Sequence, residues 1–140
     1  MDRKTDIILI VLPYSETLTI PASAIDQNGH VNNLVYLQWC IDVAEKHWLA
    51  LAPASVIDTH FWVVLNHYIE YHQPSFEGEE IKVETWVTSA KGVKSEREYQ
   101  ITRQKDGETL VTAKTTWCYV ELDSQRPARI TDKIRRLFLK

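Results

Sequence analysis

The sequence predicts an α+β protein in which an antiparallel β-sheet wraps around one long central helix, with a short helix near the C-terminal end. Two patterns carry this reading. From Leu34 to Leu51 the chain runs without Pro or Gly, and Gln38, Asp42, Glu45 and Lys46 fall on one narrow stripe of an otherwise apolar cylinder. Further along, residues 79–102 alternate apolar and polar side chains with period two on either side of Gly92, and Asp106-Gly107 is a hairpin signal ahead of another such run.

The long segment is predicted as the central helix because apolar residues cover most of its circumference, which suits a helix wrapped by other structure better than one lying on a surface. Asn32 or Asn33 can cap its start by accepting a hydrogen bond from an unpaired backbone N–H, and Asp42 with Lys46 makes a supporting pair four residues apart.

Ahead of it, residues 7–12 suit a short strand interrupted by Pro13, and Thr17 to Ile20 is a β-prone piece ending at Pro21. After it, Pro53 and residues 54–59 form a connection. Phe61 to Leu65 is apolar on both faces, which predicts a central strand covered on both sides and continuing through Tyr71 towards Pro74. Residues 79–90, 93–102 and 110–121 make three strands joined by short turns, an antiparallel meander. The sets that share one face of each strand are Ile81, Val83, Thr85 and Val87; then Val93, Ser95, Arg97, Tyr99 and Ile101, opposing the polar face; then Val111, Ala113, Trp117 and Tyr119. The last helix spans about 132–138, capped by Thr131 and docked through Ile134, Leu137 and Phe138. With no repeat or low-complexity stretch, residues 1–140 read as one domain.

Composition excludes several classes. The chain is 44% apolar and 25% charged, ordinary for a soluble globular protein, and its net charge of -3 argues against a nucleic-acid partner. The apolar run 7–12 is too short to span a bilayer, so no membrane association is expected and the protein reads as cytoplasmic. Two cysteines, Cys40 and Cys118, make no disulfide scaffold and read as small buried hydrophobes. His60, His67 and His72 stand seven and five apart in one predicted strand, which places His67 on the opposite face from the other two, so no metal site is expected. The sequence contains no Gly-x-Ser-x-Gly elbow, phosphate loop or dinucleotide fingerprint. The basic residues Arg126, Arg129, Lys133, Arg135 and Arg136 read as a solvated surface in preference to a nucleotide-phosphate contact.

Chemistry is concentrated in Asp26-Gln27-Asn28-Gly29-His30-Val31-Asn32-Asn33, a turn leading into the long helix. A helix N-terminus gathers unpaired N–H groups and partial positive charge, which suits it to holding a carbonyl that becomes an oxyanion. Gly29 permits close approach of a substrate to the backbone. Asp26, Asn28 and His30 alternate, and their side chains share a side only if that stretch is extended.

These eight residues, followed by Tyr36-Leu37 and Trp39, resemble the signature of hotdog-fold acyl thioesterases, both the small acyl-CoA hydrolases and the acyl-ACP enzymes. The resemblance implies a hotdog fold, a homodimer or homotetramer with active sites at subunit boundaries, and hydrolysis of an acyl-CoA or acyl-ACP thioester with no cofactor beyond CoA as part of the substrate. It assigns Asp26 as general base or nucleophile, with Asn28 and His30 beside it. Gly29 and Val31 offer backbone donors, and Asn33 and Tyr36 fix the turn to the helix or border the substrate. One position departs from the pattern: many relatives carry a second acid two residues before the Asp, where this chain has Ala24. Glu45 on the helix belongs to the polar stripe and reads as solvated. Ile69-Glu70-Tyr71 resembles a piece of the acyl-ACP enzymes, but no role transfers with it. Two other functions stay open, a dehydratase or hydratase on the same fold and a non-catalytic acyl-binding protein. A single copy of the pattern favours CoA over ACP as carrier.

Overall fold

A computed structural model describes residues 13–139. Strand β1 (Tyr14–Thr19) leads through a single turn of 3-10 helix (Ala22–Ala24) and the Asp26 loop into helix α1 (Asn33–Leu51). A short helix α2 (Ala54–Ile57) precedes β2 (His60–Tyr71), and β3 (Glu80–Lys91), β4 (Lys94–Arg103) and β5 (Thr109–Glu121) follow as the meander before helix α3 (Asp132–Phe138). The five strands form one antiparallel sheet in the order β1-β3-β4-β5-β2. The segment 7–12 lies outside the described residues.

One face of this sheet carries the core. Ile81, Val83, Thr85 and Val87 of β3 are buried, as are Tyr99 and Ile101 of β4 and Val111, Thr115 and Tyr119 of β5, because alternation sends every second side chain to the same side. Against them α1 lays Tyr36, Cys40, Val43, Ala44, His47 and Trp48, one stripe at spacings of four, three and one. Asn32 caps the helix, its side-chain oxygen accepting from the Leu34 amide at 2.8 Å. Thr131 does the same for Ile134 in α3, whose Ile134 and Phe138 are buried, Phe138 stacking on Trp48 with centroids 5.9 Å apart. Both cysteines are buried and unbridged, and burial pushes the Cys40 thiol up to about 12, which keeps it protonated.

Several expectations are corrected. Helix α1 is covered by the sheet and by α3 but not all round: Leu34 is 75% exposed, and Leu49 and Leu51 are also open. Its apolar circumference exceeds what one chain covers. Lys46 pairs not with Asp42 but with Glu16 of β1, at 2.8 Å, while Asp42 accepts from Gln38. The connection after Pro53 is partly helical, because the Pro53 carbonyl accepts from the Val56 and Ile57 amides and starts a turn. Strand β2 is an edge strand, not a central one, and Val63, Leu65, Tyr68 and Tyr71 are exposed. Apolarity on both faces says that a strand is poorly suited to water; it does not say which neighbour pairs with it. Finally, Val64 pairs with Trp117 and Asn66 with Thr116, leaving Leu65 as a bulge that changes the parity. His60, paired with Glu121, and His67, paired with Thr115, therefore share a face, and it is His72, bonded to Thr112, that lies on the other. Among the described residues no three metal-binding side chains gather.

Candidate active site

The Asp26 loop is a closed turn, not an extended strand. Ile25 and Val31 form an antiparallel bridge, the Asp26 amide donates to the His30 carbonyl at 3.0 Å, and the Gly29 amide donates back to the Asp26 carbonyl at 3.0 Å. Asp26 Oδ1 accepts from the Asn28 amide at 2.8 Å, the side-chain turn that Asp favours locally. Gly29 closes the loop at φ 86°, a left-handed conformation that a side chain would strain. The alternation of Asp26, Asn28 and His30 thus does not line them along a strand, and among the described residues no hydrogen bond joins their side chains.

Two contacts fix the loop to the rest of the fold. The Val31 amide donates to the Ser75 carbonyl and the Asn32 amide to that of Ala24, both at 3.0 Å. Ser75, fully buried in the β2–β3 connection, also shares a short hydroxyl hydrogen bond with Tyr36. Tyr36 therefore ties helix α1 to that connection, and burial raises its phenol, so it stays protonated. The amides of Gly29 and Val31, expected as donors to substrate, are already engaged inside the fold. His30 and Asn33 keep amides with no such bond among the described residues, Asn33 at the first position of α1.

Beside the loop lies a shallow pocket of about 210 Å³, lined by His30, Val31, Asn33, Tyr36, Tyr71, His72, Gln73 and Pro74. Four of the seven residues singled out in the sequence border it. Asp26, Asn28 and Gly29 do not, though they share the closed turn with His30. Tyr71 was missed: its hydroxyl donates to the Asn33 carbonyl at 3.1 Å, closing the pocket from the β2 side, and its phenol is raised chiefly by burial. Of Ile69-Glu70-Tyr71, to which the sequence assigns no role, Tyr71 reaches the pocket, while alternation puts Glu70, paired with Thr112, on the far face. Phe76, edge-on to His30 with centroids 6.5 Å apart, was also missed, for it lies in a loop with no periodicity to read.

Comparison with known proteins decides the family. A sequence profile for the N-terminal domain of acyl-ACP thioesterases matches residues 12–138, nearly the whole chain. The chain belongs to this family. Its chemistry is that of a thioester hydrolase, and the fold is the hotdog fold. No curated protein sequence gives a significant match. Among solved structures, a 1,4-dihydroxy-2-naphthoyl-CoA thioesterase from Synechocystis superposes with a TM-score of 0.78 at 17% identity, covering 90% of this chain and 95% of the other. A hypothetical protein from Staphylococcus aureus, solved in complex with CoA, gives 0.79 at 14% identity over 91% and 82% of the two chains. The 12:0-ACP thioesterase of Umbellularia californica gives 0.78 at 16% identity over 91% of this chain, which spans 51% of that enzyme. At these identities the superpositions speak to the fold; the profile carries the family. No described helix is long and apolar enough to cross a membrane.

Proposed function

We propose that the chain hydrolyses an acyl-CoA thioester to free acid and CoA at the pocket beside the Asp26 loop. The observation that carries this is the attachment of the Asp26 turn to the first turn of α1. It puts the carboxylate of Asp26 in the same closed turn as His30, which lines a cleft whose wall includes the N-terminal end of a 19-residue helix. Asp26 Oδ1 is held by the Asn28 amide, which orients the carboxylate, and Oδ2 accepts no hydrogen bond from the described residues. As general base, Asp26 takes a proton from the attacking water; as nucleophile, it forms a mixed anhydride that water then opens. Either way a tetrahedral oxyanion forms, and the free amides of His30 and Asn33 with the dipole of α1 supply the positive field it needs. Collapse expels the thiolate of CoA. His30 borders this chemistry from the turn, Asn28 acts by holding the Asp26 carboxylate, and Gly29, Val31 and Tyr36 act by fixing the loop.

The exposed edge of β2 and the open face of α1 support a homodimer or a higher homo-oligomer, since an unpaired apolar edge is commonly covered by a second chain. A cytoplasmic location fits the unbridged cysteines. Acyl-ACP is the second reading, favoured by the family profile itself.

Thiol release from short, long and aromatic acyl-CoA esters, by the protein beside Asp26→Asn, tests the proposal. Hydrolysis of one class, abolished in the variant, supports it. Full activity in the variant moves the catalytic group elsewhere, and no turnover of any CoA ester transfers the same test to acyl-ACP. Inactivity on both leaves a non-catalytic acyl-binding protein.

A further inference from the structure

A cavity larger than the one beside the motif lies elsewhere in the described residues. About 410 Å³ of space lies between the C-terminal half of α1, the sheet and α3, walled by Trp48, Trp62, Trp117, Ile134 and Phe138. In that apolar wall stands Arg97, only 6% exposed. No carboxylate among the described residues approaches within ion-pair distance of it; Glu45 and Arg135 stand elsewhere on the cavity lining, and Arg135 is paired with Asp132.

The protein satisfies one edge of this guanidinium. Nη1 donates to His47 Nδ1 at 2.9 Å and to Thr85 Oγ1 at 3.1 Å, and the Thr85 hydroxyl in turn donates to the Glu98 carbonyl. Arginine has no acceptor, so His47 must accept through Nδ1 and carry its proton on Nε2. The ring of Phe138 lies 5.8 Å from the guanidinium carbon. Nε and Nη2 make no hydrogen bond with the described residues. Burial lowers Arg97 to about 10, so it remains charged at neutral pH. A buried cation with only neutral partners is costly unless something anionic completes it, and the planar fork of arginine matches a carboxylate.

We propose that this cavity binds a carboxylate carried on an apolar or aromatic body, with the carboxylate on the free edge of Arg97 and the body among the tryptophans. Two molecules share that chemistry: a free carboxylic acid, such as the product of thioester hydrolysis, and an acyl group bearing a second carboxylate at its far end. Binding at Arg97 does not depend on turnover, so it stands or falls apart from the hydrolysis proposed above.

Isothermal titration calorimetry of the purified protein with decanoate, decanol, 2-naphthoate and naphthalene-2-methanol tests it. At least one acid is expected to bind about tenfold or more tighter than its alcohol, the scale of a charged hydrogen bond. Arg97→Gln is expected to abolish that preference while leaving the alcohol unchanged. Equal binding of acid and alcohol, or no binding of either acid, overturns the proposal, and this comparison needs only the wild type should the variant fail to fold. A preference that survives in a folded Arg97→Gln also overturns it. Hydrolysis of suberoyl-CoA against octanoyl-CoA then separates the sources: a preference for the former that Arg97→Gln removes identifies the acyl group's own carboxylate, and equal rates beside tight decanoate binding identify the free acid.

Discussion

Arg97 Nη1 donates to His47 Nδ1 at 2.9 Å, in the interior between α1 and β4. That bond requires His47 to be neutral, and burial followed by the charge of Arg97 lowers it to about 4. The unfolded chain binds this proton near 6.5, the folded protein only near 4, so the unfolded state gains protons first as pH falls. Stability from His47 is full above pH 6.5 and is lost as pH falls towards 4. His67, lowered by burial, acts in the same direction. Urea midpoints measured at pH 7 and pH 5 should drop for the wild type and drop less for His47→Gln, whose amide oxygen keeps an acceptor for Arg97. An equal drop in both would remove His47 as the source.

Replacing Tyr36 by Phe leaves the buried Ser75 hydroxyl without its partner, at a cost of about 1 to 3 kcal/mol. Because Ser75 also receives the Val31 amide, the loss should loosen the Asp26 loop. Chemical denaturation should show the destabilisation, and hydrogen exchange at Val31 should rise. Unchanged exchange there would show that the backbone bond holds the loop unaided.

Asp26→Asn and Asp26→Ala should separate chemistry from structure. Asn keeps an oxygen for the Asn28 amide and should fold like the wild type while losing roughly a hundredfold to ten-thousandfold in rate. Ala should lose the rate and, in addition, stability. Equal activity in Asn and wild type would reduce Asp26 to a turn residue.

Asn32→Ala removes the oxygen that caps α1 and should cost about 1 kcal/mol by urea titration. Substituting Asn33 instead should cost much less, since the cap is Asn32.

On the exposed edge of β2, Leu65→Lys together with Tyr68→Lys places charge at a bulge and on a 64% exposed ring. Sedimentation equilibrium should move from an oligomer in the wild type to the mass of one chain. A variant that keeps the wild-type mass would place the interface elsewhere.

The sequence by itself determined the long helix, the meander strands and the last helix. Polar residues on one stripe defined α1, period-two alternation defined β3, β4 and β5, and Thr131 marked the start of α3 within a residue, because these signals are local and repeat along the chain. The Asp26 to Asn33 turn was legible for the same reason, as short-range residue chemistry. What only the tertiary structure decided depends on partners distant in sequence. Apolarity on both faces cannot distinguish an edge strand from a central one, so β2 stands at the edge where a central strand was expected, and one bulged residue at Leu65 reversed the faces of its histidines. Lys46 found Glu16 thirty residues away instead of Asp42 one turn away. Tyr71 reached the pocket, and Gly29 and Val31 lost their free amides, only once the β2–β3 connection and the Asp26 turn had closed. A buried arginine such as Arg97 reads in sequence like any alternating position of a strand; that no described carboxylate reaches it is decided only where helix, sheet and tail meet.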